Sequence, residues 1–149
     1  MIRVNPFSPT DLAGVAVQTG QAEFAALNDA ERIRRGATLA AGGPCFTVRE
    51  VATGAVLFAG GLTETHPHYG TLWSVFAKDA GRMMAAIHRR ARTFLSMQTH
   101  RRIDAVVRAD HEAGHRWMLM LGFCPEAHLA AWFADGTGAV IYRSTGWPS

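Results

Sequence analysis

Residues 111–115 read His-Glu-Ala-Gly-His. On a helix, positions four apart share a face, so His111 and His115 would stand side by side with Glu112 next to them. That is the H-E-x-x-H arrangement of a zinc peptidase, in which the histidines hold the metal and the glutamate acts as general base. A catalytic zinc also needs a third protein ligand and an open position. Glu126 and His128 are the downstream candidates, and both lie just past the Leu121-Gly122-Phe123 end of the helix. Gly114 inside the motif weakens the helix it requires. Three fixed letters recur often by chance, so the zinc reading ranks last among those the chain supports.

A second group of reactive side chains follows the apolar run 55–62. Glu64 is a candidate general base, and His68, with His66 and Tyr69, shares its loop. A neutral imidazole suits proton transfer near pH 7. The plain reading of each is a solvated loop residue. His111 is a third candidate, either as a proton donor or as a ligand contact, and its plain reading is a helix-start residue beside Asp110. No Gly-x-Ser-x-Gly elbow is present. Cys45 and Cys124 stand apart among apolar neighbours, which predicts two buried thiols and no disulfide.

Composition narrows the classes. The chain has 149 residues, 48% hydrophobic and 18% charged, as one globular domain would have. A net charge of +3 suits an anionic ligand but is too small to argue for nucleic acid. The sequence offers neither a membrane span nor a signal peptide, so the expectation is a cytoplasmic protein with no membrane partner.

The elements that would position these residues follow from periodicity and punctuation. A short strand at 2–4 leads to a helix start at Ser8-Pro9-Thr10-Asp11. A helix is expected over 21–35, stopped by Gly36. Gly42-Gly43-Pro44 breaks the chain. Strands are expected at 45–51 and 55–62 around the Ala52-Thr53-Gly54 turn, then a loop over 63–70 and a strand at 71–76. The most amphipathic helix spans 79–97, with Met84, Ile87, Ala91, Phe94 and Leu95 on one face. A strand at 103–107, a helix at 110–120, and strands at 127–133 and 139–143 joined through Asp135-Gly136 complete the order. Trp73, Trp117 and Trp132 fall inside elements and are expected in the core, whereas Trp147 is a candidate docking residue. The fold class is α+β, a mixed and mostly antiparallel sheet with helices on both faces.

This order and its motifs resemble the GNAT superfamily of acyl-coenzyme A-dependent N-acyltransferases over nearly the whole chain. The family's phosphate loop, Q/R-x-x-G-x-G/A, is matched by Lys78-Asp79-Ala80-Gly81-Arg82-Met83, with Lys and Met at its outer positions. Helix-opening amides are free to bind a pyrophosphate, and Lys78 and Arg82 would add charge. Against the family's N-x-x-A-x-x-x-Y-x-x-x-G-F helix, His111 falls at the Asn position, Gly114 at the Ala position, Trp117 and Met118 cover the aromatic position, and Leu121-Gly122-Phe123 matches the ending.

The resemblance implies acetyl-CoA as co-substrate, no metal, and an amine acceptor, either a small molecule or a protein. It places the coenzyme against Val75, Phe76, Lys78, Ala80, Gly81, Arg82, Met83 and Trp117. Glu64, His68 and His111 are the residues it offers for proton transfer. Met118 stands where many members carry a catalytic tyrosine, and the strand 71–76 contains no acid. A fold retained without turnover, for structural or partner-binding use, is therefore the alternative. Arg116-Trp117, Pro125-Glu126 and Leu27-Asn28-Asp29-Ala30-Glu31 resemble short GNAT-like proteins of tailed bacteriophages. That implies a host-cytoplasmic or virion location and possible homo-oligomer contacts.

Overall fold

The computed structural model describes residues 1–145, so Trp147 lies outside the described residues. Seven strands form one sheet in the order β1-β2-β3-β4-β5-β7-β6. They are β1 (Ile2–Pro6), β2 (Cys45–Glu50), β3 (Val56–His66), β4 (Tyr69–Phe76), β5 (Arg102–Arg108), β6 (Phe123–Leu129) and β7 (Ala139–Ser144). All neighbours pair antiparallel except β4 and β5. The expected mixed, mostly antiparallel α+β class is what the chain adopts.

Helices cover both faces. Beneath one lie α3 (Met84–Ser96) and α4 (Glu112–Met120), whose Ile87, Ala91, Leu95, Trp117, Met118 and Leu121 pack on Phe58, Phe76, Ile103 and Val107. Against the other lie α1 (Ala22–Ala25) and α2 (Asp29–Gly42), with Phe24, Leu27 and Leu39 over Ala59, Trp73 and Val75. Strand alternation divides β4 between these layers: Leu72 and Phe76 face α3 and α4, while Trp73 and Val75 face α1 and α2.

Several boundaries differ from expectation. The helix expected over 21–35 is two helices, because Asn28 caps α2: its Oδ1 accepts from the Glu31 amide at 2.8 Å and Glu31 returns the bond. Gly36 does not stop that helix. It lies buried within α2 where the Pro9 backbone crosses, 2.8 Å from where a Cβ would stand. The loop expected over 63–70 is largely strand, since Thr63 and Glu64 pair with Thr71 and Gly70 and the hairpin turns at Pro67-His68. Strand β6 starts at Phe123, directly after the Gly122 helix end, rather than at 127. Trp132 consequently falls in the β6–β7 connection and is 55% exposed. Cys45 and Cys124 are free thiols, each half-buried, and burial pushes the Cys45 thiol up.

Candidate active site

The pairing of β4 with β5 runs from Tyr69↔Arg102 to Leu72↔Ala105 and stops there. Beyond it, β4 continues beside β3 to Phe76, and β5 beside β7 to Arg108. The two parallel strands therefore open into a wedge at their C-terminal ends, with the edge of β4 over 73–76 lacking a strand partner on that side.

Two cavities meet at the wedge. The larger, about 650 Å³, lies between the start of α3 and α4 and is lined by Phe76, Lys78, Ala80, Gly81, His88, Arg89, Arg116 and Trp117. The smaller, about 300 Å³, lies on the α1 side and is lined by Gln21, Glu23, Phe24, Trp73, Val75, Arg108 and Met118. Phe76, His111, Gly114 and Trp117 line both.

His111 stands at the junction as the N-cap of α4. Its ring is held between two glycines. A Cβ on Gly20 would collide with it, and one on Gly114 would come within 2.5 Å of its Cδ2. Gln18 Nε2 lies 3.4 Å from His111 Nε2. Burial, then the neighbouring His115, pull the His111 pKa below its usual 6.5, with Asp110 opposing. The imidazole is thus neutral at pH 7, the form that accepts a proton.

The other expected site residues divide. Lys78, Ala80, Gly81, Phe76 and Trp117 line the larger cavity. Val75 faces the smaller one instead. Arg82 turns away to Glu50, bonded at 2.6 Å, and Met83 packs on the core. Glu64 and His68 do not join His111: they sit at the far end of the β3–β4 hairpin. Glu64 pairs with Gly70 where Phe58 pairs with Phe76, and those six strand positions span roughly 20 Å. Glu64 instead bonds His100 Nε2 at 2.9 Å, and the His68 amide donates to His66 Nδ1.

The opening of the long helix is also tighter than expected. Residues Ala80–Met83 form a 3₁₀ turn. The Ala80 amide bonds Ala77 O and the Met84 amide bonds Gly81 O, so fewer amides are open than at an α-helical start. What remains is open ground beside Gly81, where an added Cβ would meet nothing within 4 Å. Lys78, Arg89 and Arg116 line that cavity as exposed cations. Phosphates of an acyl-coenzyme A fit this basic, glycine-floored setting.

Zinc does not fit the His-Glu-x-x-His stretch. His115 directs Nε2 at Ala109 O (3.0 Å) and Nδ1 at the Tyr142 hydroxyl (2.7 Å), so both ring nitrogens are engaged. No group of three or more potential metal-ligating side chains occurs among the described residues.

No family model matches the chain, and no curated protein matches it in sequence. Solved structures do match in shape. Ard1 from Thermoplasma volcanium superposes with a TM-score of 0.73 at 17% identity, covering 95% of each chain. The ribosomal-protein-S18-alanine N-acetyltransferase from Escherichia coli gives 0.71 at 15% identity, covering 97% of this chain and 93% of that one. A GNAT-family acetyltransferase from Bacillus anthracis gives 0.68 at 13%, covering 95% and 93%. The chain has the GNAT fold. By its own geometry, the wedge between β4 and β5 with its two flanking cavities is the candidate site.

The residues that sequence reasoning missed are polar and scattered. Gln18 and Gln21 carried no motif. Arg89 reads as an ordinary solvated charge on an amphipathic helix. Arg108 closes the rim of the smaller cavity: it is 6% exposed, bonds Thr137 Oγ1 at 2.9 Å and Asp135, approaches Glu23 at 3.4 Å, and lies 4.6 Å over the Phe133 ring. The Thr137 amide first, then Arg108, hold the Asp135 carboxyl down to about 2.

Proposed function

We propose that the protein is an acyl-coenzyme A-dependent N-acyltransferase, with acetyl-CoA as donor and a primary amine as acceptor. The observation that carries this reading is the junction of two cavities at a neutral His111 beside the end of β4 that diverges from β5. The larger cavity would hold the coenzyme, with Lys78, Arg89 and Arg116 facing its phosphates and Gly81 giving them close approach. The smaller cavity would hold the amine. His111 would take the amine's proton as nitrogen attacks the thioester carbonyl, and the thiolate would leave toward the larger cavity. Rate would come chiefly from bringing the two reactants together and from that proton transfer. Glu64 and His68 have no part in this mechanism, because neither reaches the wedge.

The fold's likeness to a ribosomal-protein-S18-alanine N-acetyltransferase supports a peptide or protein amine as readily as a small one. The phage-like motifs support a place in a host cytoplasm or a virion. One observation favours the non-catalytic alternative: Met118 is 4% exposed in the core and offers no hydroxyl for the departing thiolate.

The test is calorimetric titration with acetyl-CoA, followed by a thiol-release assay over a panel of amines and peptides. Micromolar binding, lost in Gly81→Glu, with amine-dependent thiol release supports the enzyme. Binding without release under any amine supports the non-catalytic reading. Absence of binding removes both the coenzyme and the reaction.

A further inference from the structure

Most polar groups around the smaller cavity already have partners. Residues 16–21 run beside the end of β4: the Lys78 amide donates to Ala16 O at 2.8 Å, and the Gln18 amide to Phe76 O at 3.1 Å. The Gln21 side chain holds the same edge. Its Nε2 donates to Ser74 O at 2.6 Å, and its Oε1 accepts from the Phe76 amide at 2.8 Å. Thr71 donates its hydroxyl to Asp104 at 2.9 Å. Glu23 and Arg108 face each other at 3.4 Å, and Asp135 adds a second acid to the same guanidinium. The charges at that rim offset one another.

Arg35 is the exception. It lines the cavity from α2 and is exposed, and it makes no hydrogen bond or ion pair with any described residue. Leu39, one turn further along the same face of α2, packs into the layer that holds Trp73. Trp73 lines the cavity too, and its buried indole N–H has no hydrogen-bond partner. Buried donors are nearly always paired, so this wall keeps a donor unspent. The rest of the lining includes apolar Phe24, Leu27, Val75 and Met118. Since His111 is neutral, the uncompensated charge of the cavity is the Arg35 guanidinium. One wall thus offers a cation, another a proton acceptor, and the space between them is largely apolar.

We infer that the smaller cavity takes an amine that also carries a carboxylate, with Arg35 binding the carboxylate while the amino group reaches His111. This rests on the acyltransferase reading of that cavity. A guanidinium meets a carboxylate through two parallel N–H bonds, which fixes the direction of the ligand as well as its charge. A volume of about 300 Å³ lies at the small end for ligand pockets, and suits an acceptor of amino-acid size. An acceptor with a second ammonium in place of the carboxylate would set like charges against each other at Arg35.

The experiment measures thiol release from acetyl-CoA with δ-aminovalerate, pentylamine and cadaverine. These share one chain length and end in a carboxylate, a methyl group and a second ammonium. The kcat/KM for δ-aminovalerate is expected to exceed that for pentylamine about tenfold, the worth of one charge-assisted hydrogen bond, with cadaverine the poorest. Arg35→Met should bring the first two values together, chiefly through KM, and Arg35→Glu should put cadaverine first. Release that does not favour δ-aminovalerate, or a preference that Arg35→Met leaves intact, overturns the inference and leaves the acyltransferase reading standing. Should no amine release thiol, calorimetric titration of δ-aminovalerate into the protein mixed with coenzyme A decides. Binding that Arg35→Met abolishes upholds the carboxylate site without the reaction, and absence of binding overturns the site as well.

Discussion

Trp117 donates its indole N–H to Nδ1 of His88 across 3.1 Å, joining α4 to α3 along the wall of the larger cavity. The bond fixes the neutral His88 tautomer, with its proton on Nε2. It also orients the Trp117 ring, which meets Phe58 and Phe76 edge-on with centroids 6.0 and 5.0 Å away. The helix that His111 caps is thus registered against the helix that opens the larger cavity by a polar contact inside an apolar seam.

Replacing Trp117 with Phe keeps most of that aromatic packing but removes the donor. The expected cost is about 1–2 kcal/mol of stability, from the lost bond and a small loss of buried surface, read by urea denaturation. Coenzyme binding should weaken as well, because His88 would no longer be held against α4. A variant as stable as wild type would mean that solvent replaces the indole N–H at no cost.

His111 should set the acid limb of activity. Burial, followed by His115, lowers its pKa below 6.5, so the wild-type kcat/KM is expected to be level from pH 7 upward and to fall on the acid side below 6.5. His111→Gln is expected to lower kcat about 10²-fold or more, the usual worth of general base catalysis, with little change in the KM for acetyl-CoA. An unaltered acid limb in the variant would assign that ionisation to another group.

Acid should also weaken the fold through the same histidine and His88, whose pKa is lowered by burial and then by Arg92. Both groups are held neutral in the folded chain, whereas in the unfolded chain they titrate near 6.5. Below 6.5 the unfolded state binds more protons, so stability falls as pH drops from 6.5 toward the lower folded values and then levels off. Above 6.5 neither histidine imposes a penalty. Melting temperatures at pH 7.5, 6.5 and 5.5 are expected to show this slope, and His88→Gln combined with His111→Gln should flatten it. A double variant with the wild-type slope would trace acid sensitivity to the carboxylates instead.

What the sequence made legible is what rests on local signals. Periodicity locates α3 and most strands, and the Leu-Gly-Phe ending locates the close of α4, so the fold class is readable directly. A local signal can also hide in plain composition: Asn28 and Glu31 spell a capping box inside a run that looks like one helix. Other features depend on distant partners. Thr63 and Glu64 look like loop residues until Thr71 and Gly70 pair with them, and Gly36 looks like a helix stop until Pro9 crosses it. Arg82 looks like a phosphate ligand until Glu50 on β2 claims it. Gln21 meets Ser74 and Phe76 from more than fifty residues away, and no spacing rule reaches that far.

Arg32 offers the sharpest test of how the wedge is held in shape. Its guanidinium is buried, 8% of the residue being exposed, and it donates to Leu12 O, Val15 O, Ala25 O and Leu27 O while lying 5.3 Å over the Phe24 ring. A planar group with five donors can serve several carbonyls at once, which an ammonium cannot. Arg32→Met would strand those carbonyls around an apolar side chain, and the expected loss is about 2–4 kcal/mol by urea denaturation. Arg32→Lys should recover less than half of it, since a lysine of that length reaches fewer of the oxygens. The chain between Val15 and Ala25 would also loosen, so amide exchange at Gln18 and Phe76 should speed up together in both variants. Exchange at those amides that stays at the wild-type rate would mean that β4, rather than Arg32, holds residues 16–21 in place.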